Sequence, residues 1–168
     1  MSYAYDMNAT SYTLKDIALL LSPAGDAETV EKLARQIRHW TSLDLLQPLG
    51  KKHTGTGVSR RYDHHELLKA AILSELSRYR VPVTVLDDSF VTMIDEYATS
   101  SDWAAAIKGD VPVFLMFGFG DSAVRTQLFT EASKHPMLAP KSPDDIPGGE
   151  IISAITINLS ALFKRLKR

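Results

Sequence analysis

The 168-residue chain contains no cysteine, so disulfides, thiolate zinc sites and thiol-based redox sensing are all excluded. It has no run of about 18 apolar residues, the length that a membrane-spanning helix needs. Its opening, MSYAYDMNATSY, carries neither the basic nor the apolar stretch of a secretory signal, which gives the expectation of a cytoplasmic protein. No segment recurs at a fixed period, so solenoids and propellers are set aside. An excess of either charge is lacking too, the formal total being -1. Hydrophobic residues make up 45% and charged residues 23%, enough apolar material for one domain or two small ones and too much for wholesale disorder.

The near-zero total conceals an uneven distribution, and distribution decides whether a surface can meet a polyanion. From Arg35 to Tyr62 the chain carries Arg35, Arg38, Lys51, Lys52, Arg60 and Arg61 against one acid, Asp44. Asp87, Asp88, Asp95, Glu96, Asp102 and Asp110 follow and make the remainder acidic. A cation cluster of this kind is either a solvated face or a surface for an anionic partner.

Periodicity gives that cluster a scaffold. Thr13 with Asp16 three residues on resembles a capping box ahead of Ile17, Ala18, Leu20 and Leu21, and predicts a helix over about 14–22. Asp26 suits the N-cap of a second helix over about 27–42. At 100° per residue, Val30, Leu33, Ala34, Ile37 and Trp40 gather on one face of it, while Lys32, Arg35, Arg38, His39 and Ser42 gather opposite. The first face is expected to pack, Trp40 included, and the second to meet an anion. Pro48 and Gly50 mark a turn. Lys51 to Tyr62 then fit a β-hairpin tipped by Thr54-Gly55-Thr56-Gly57, with Lys51 and Lys52 on the outgoing arm and Arg60 and Arg61 on the returning one. Asp63 is expected to cap a third helix carrying Leu67, Leu68, Ala71, Ile72, Leu76 and Tyr79. Helix, helix, basic hairpin, helix is the order of a winged helix-turn-helix.

The segments YTLKDIALLLS, QIRHWTSLDLLQP and SRRYDHHELLKAAILSEL together resemble the DNA-binding domain of MerR-family bacterial transcription regulators, over about residues 12–85. Arg38, His39 and Trp40 stand where that family carries an Arg-Tyr-Tyr-like triplet. Asp44-Leu45-Leu46 and Pro48 follow as the family pattern has them, and Arg60 and Tyr62 match the segment after the wing. The resemblance implies promoter binding as a homodimer, with Arg38, His39, Arg60 and Tyr62 in contact with double-stranded DNA. Charge and position add Arg35, Lys51, Lys52 and Arg61 to the expected contacts.

In the second half, Leu86, Phe90, Met93, Ile94 and Tyr97 fall on one helical face. That face packs either on its own domain or, as the resemblance implies for a helix in this place, on a second copy. VPVFLMFGFG at 111–120 predicts a buried strand. Asp121 or Ser122 is expected to cap a helix to about 134, with Val124, Leu128, Phe129 and Ala132 inward. A proline-rich irregular loop over 135–149 follows, then a strand in which Ile155, Ile157 and Leu159 alternate with Thr156, Asn158 and Ser160. LFKRLKR forms a basic end.

The expected fold class is α+β: a winged helix-turn-helix at 12–82, linker or dimerisation helices at 83–108 and a small α/β domain at 109–168. The expected function is a DNA-binding transcription regulator, not an enzyme, with no metal or cofactor. Its C-terminal domain would meet RNA polymerase or another protein. The alternatives are a protein-interaction adaptor that keeps the winged fold without DNA binding, and an enzyme with its site around Gly118 to Ser122. The second is weak, because GFGDS lacks the remaining residues of a phosphate-binding loop and His64-His65 diverge on a helix.

Overall fold

The structure, a computed structural model, describes residues 11–22, 25–50, 59–86, 88–109, 111–120, 124–130 and 151–166. Among these the fold is α+β, with six α-helices and two small sheets. The chain divides into two compact units, Met1–Ser74 and Glu75–Arg168. No helix among the described residues is long and apolar enough to cross a membrane.

The first unit opens with β1 (Tyr12–Thr13) and α1 (Leu14–Leu21). Thr13 Oγ1 accepts from the Asp16 amide at 3.2 Å and the Asp16 carboxylate accepts from the Thr13 amide at 2.8 Å, so two otherwise orphaned donors of the helix start are satisfied. α2 (Ala27–Ser42) is capped by Asp26, whose carboxylate accepts from the Thr29 amide at 2.8 Å. α1 packs on α2, and Ile17 and Ala18 share the buried core with Leu33, Ala34, Ile37 and Trp40.

α2 ends where Asp44 turns left-handed, φ 60°. This lets the Leu45 amide reach the Trp40 carbonyl at 3.0 Å and the Asp44 amide reach Thr41 at 3.3 Å, closing the last turn. Aspartate tolerates that backbone better than most residues, and Leu45 and Leu46 are thereby turned into the core. β2 (Arg61–Tyr62) pairs antiparallel with β1, Tyr12 opposite Tyr62 and Thr13 opposite Arg61. The returning arm of the expected hairpin thus has a partner far away in sequence. Among the described residues it is also joined to the outgoing side, by the Leu49 amide donating to the Arg61 carbonyl at 2.7 Å.

α3 (His64–Arg78) starts under Asp63, which accepts from the Glu66 amide at 2.9 Å. Every residue from Glu66 to Leu73 is buried, so this stretch of the helix is covered around its circumference instead of along a single stripe. The unit boundary falls inside it, between Ser74 and Glu75.

In the second unit a single 3-10 turn (Val83–Val85) precedes α4 (Asp88–Tyr97) and α5 (Ser101–Lys108). These segments, expected to form a separate linker, belong to the unit that holds the sheet. β3 (Val113–Gly120) is the central strand, flanked antiparallel by β4 (Val124–Thr130) and β5 (Ile151–Asn158). Being central, it buries residues of both parities: Val113, Leu115 and Phe117, and also Met116. Phe117 stacks on Phe90 of α4 at 6.1 Å, and Phe114 stacks across the ladder on Phe129 at 5.4 Å. α6 (Leu159–Arg165) lies against α5 through Trp103 and Phe163, whose rings meet edge-on at 5.3 Å. Glu75 accepts from both Arg78 at 3.0 Å and Arg165 at 2.7 Å, which ties the end of α3 to α6.

Two expectations are corrected here. Residues 124–130 are strand, not helix. Leu128 and Phe129 can serve either period, but Val124, Thr126 and Thr130 are β-branched and the stack on Phe114 requires a neighbouring strand. The final alternating segment stops at Asn158, which caps α6 by accepting from the Ala161 amide at 2.9 Å, so Leu159 and Ser160 are helical. The loop expected over 135–149 lies outside the described residues.

α3 closes as α2 does, with Arg80 at φ 60° while the Val81 amide bonds Leu76 at 3.1 Å. An arginine there carries a steric penalty that glycine avoids. Arg80→Gly should therefore raise stability by about 1 kcal/mol, read from the midpoint of urea unfolding. A lowered midpoint would mean that the exposed guanidinium makes a compensating contact.

Candidate functional site

The polar stripe of α2 lies where the helical period puts it. Lys32, Arg35, Arg38, His39 and Ser42 are all exposed, while Leu33, Ala34, Ile37, Trp40 and Thr41 are buried. Neither Arg35 nor Arg38 pairs with a carboxylate of the described residues. Glu28 and Glu31 are exposed near the start of the same helix, so its middle and last turn are the cationic part.

The returning arm brings two more arginines. Arg60 is half-buried and Arg61 exposed. Arg61 donates to Ser11 Oγ at 3.0 Å, and its charge adds to the hydrogen bonds from Thr13 that hold the Asp16 carboxyl below its ordinary value. Part of the Arg61 charge is therefore already answered by the protein. Lys51, Lys52 and the Thr54–Gly57 tip lie outside the described residues.

Tyr62, expected at a phosphate, is instead fully buried. Its hydroxyl meets Thr41 Oγ1 at 2.9 Å, and Thr41 Oγ1 donates its own proton to the Ile37 carbonyl at 2.9 Å. Since Thr41 has one proton to give, Tyr62 is the donor of the pair. Strand alternation sends Tyr62 inward and Arg61 outward, and the phenol bolts β2 to the last turn of α2.

The proposed dimer face is similarly occupied. Leu86, Phe90 and Ile94 are buried in the second unit, with Phe90 on Phe117, so a second copy could reach none of these three. Met93 and Tyr97 are half-buried. Gly118 to Gly120 belong to β3 and lead toward β4, not into a helix, which removes the helix N-terminus that the enzyme alternative needed; residues 121 and 122 lie outside the described residues. His64 sits beside Tyr12, its Nδ1 3.4 Å from the phenol oxygen. Among the described residues no three histidines, aspartates or glutamates come together as a metal would require.

Sequence reading missed one cluster. Lys69 Nζ lies 2.6 Å from Glu66 Oε1, and both side chains are buried. The other carboxylate oxygen accepts from the Gln47 amide at 2.7 Å. Burial pushes the Glu66 carboxyl above its ordinary value, and Lys69 and the Gln47 amide offset only part of that. Two opposite charges three residues apart within the otherwise apolar ELLKAAIL were the available signal.

No family model matches the chain, and no curated protein matches it in sequence.

Proposed function

We propose that the first unit is a MerR-like winged helix-turn-helix and that the protein is a transcription regulator that binds duplex DNA. The observation that carries this reading is the exposed cationic stripe of α2, with Arg35 and Arg38 paired to no carboxylate of the described residues and Lys32 and His39 beside them. The resemblance over about residues 12–85 supports it, as does the anchoring of β2 beside the end of α2 by Tyr62 and Thr41. Arg38 and His39 would read or straddle the groove, Arg35 and Arg60 would hold phosphates, and Arg61 would do so by giving up Ser11. Lys51 and Lys52 would extend the contact. A second copy of the chain would double the phosphate contacts on a palindromic site.

Binding of a fluorescent duplex across a salt series tests this. The protein should lose affinity steeply as salt rises, and Arg35→Ala should flatten the log–log slope by about 1. Salt-insensitive or absent duplex binding would overturn the reading. It would then favour a protein-interaction adaptor, for which the engagement of Arg61 by Ser11 and its nearness to Asp16 already speak.

A further inference from the structure

The backbone flanking residues 51–58 is fastened at three described points. On the outgoing side the Gln47 amide donates to Glu66 Oε2 at 2.7 Å, and the Leu49 amide donates to the Arg61 carbonyl at 2.7 Å. On the returning side the Tyr62 hydroxyl donates to Thr41 of α2 at 2.9 Å. Only the first of these uses a buried charge. The Glu66 carboxylate serves two donors at once: one oxygen takes the Gln47 amide, and the other takes Lys69 at 2.6 Å. Glu66 is itself placed by Asp63, which accepts its amide at 2.9 Å.

A buried ion pair is a poor way to gain stability, because removing two charges from water offsets most of their attraction, and apolar side chains of similar volume do as well or better. An apolar pair here would leave the Gln47 amide, which lies outside the helices and strands, without the side-chain acceptor that it has. We propose that Glu66 is a positioning residue, neutralised by Lys69, whose task is to fix the chain at Gln47 against α3, ahead of residues 51–58, and not to stabilise the fold. The consequence for DNA rests on the regulator reading above; the positioning itself does not.

Two neutral double variants of the full chain separate these roles. Glu66→Gln with Lys69→Met keeps an acceptor oxygen for Gln47, whereas Glu66→Leu with Lys69→Met removes it. Both should unfold at urea midpoints near that of the wild type. By hydrogen exchange, the Gln47 and Leu49 amides of the Leu/Met variant should lose protection on the order of tenfold, and those of the Gln/Met variant should keep it. Duplex affinity should follow the same order, falling about tenfold for Leu/Met alone. Equal protection in the two folded variants would overturn the proposal. So would failure of Leu/Met to fold, since the pair would then be a stabilising element. If wild-type protein binds no duplex yet the exchange pattern holds, the DNA reading falls and the positioning role stands.

Discussion

Lys69→Ala should cost about 3–5 kcal/mol near neutral pH, a large share of the roughly 5–15 kcal/mol that holds an ordinary domain together. The substitution removes a buried ammonium 2.6 Å from a buried carboxylate and leaves Glu66 with the Gln47 amide as its remaining strong donor. An isolated charge cannot stay in that environment, so Glu66 will hold its proton to higher pH than it already does. The pH dependence has a definite sign. Glu66 has its folded-state value raised above 4.5, so its contribution is fully present below that value and is lost as pH rises through the folded one. Removing Lys69 widens that window upward. The penalty of Lys69→Ala should therefore be smaller at about pH 5 than at about pH 8, as measured by urea unfolding. Asp16 and Asp26 work in the other direction. Their values are depressed below 3.8 by the amides they cap, so their contributions are present above that value and fade as acid protonates them. A penalty equal at both pH values would contradict the burial of the pair.

The second large effect belongs to the other unit. Trp103 is 2% exposed and meets Phe163 edge-on, joining α5 to α6 beneath the sheet. Truncating it to alanine should cost about 3–5 kcal/mol through lost burial and the cavity left behind. Trp103→Phe keeps a ring against Phe163 and should cost appreciably less. Circular dichroism through a denaturant titration measures both, and a loss below about 1 kcal/mol for alanine would mean that the site collapses around the gap.

The helices of the first unit were legible because each carries its own local signals. The Thr13–Asp16 box, the Asp26 cap and the division of α2 into Ile37 and Trp40 against Arg35 and Arg38 depend on residues within a few positions of one another. β2 was not legible in the same way, because its partner is β1, about fifty positions earlier, and a hairpin reading looks only nearby. Tyr62 shows the cost: the resemblance implied a contact with DNA, and the side it faces is set by that distant pairing. β4 failed for a different reason. Leu128 and Phe129 satisfy helical and strand spacing alike, and what decides between them is Phe114 on another strand. The Glu66–Lys69 pair was passed over because charged residues in a helix are ordinarily solvated, and only the burial of α3 on all sides makes them otherwise.

That burial bears on how the sequence can drift. An amphipathic helix such as α2 can exchange its outward residues with little loss to the fold. From Glu66 to Leu73, α3 offers no outward residue at all, and its two charges constrain each other, so neither changes alone without harm. Related chains should therefore diverge along the α2 surface while keeping this stretch of α3 nearly constant, replacing Glu66 and Lys69 together when they replace them.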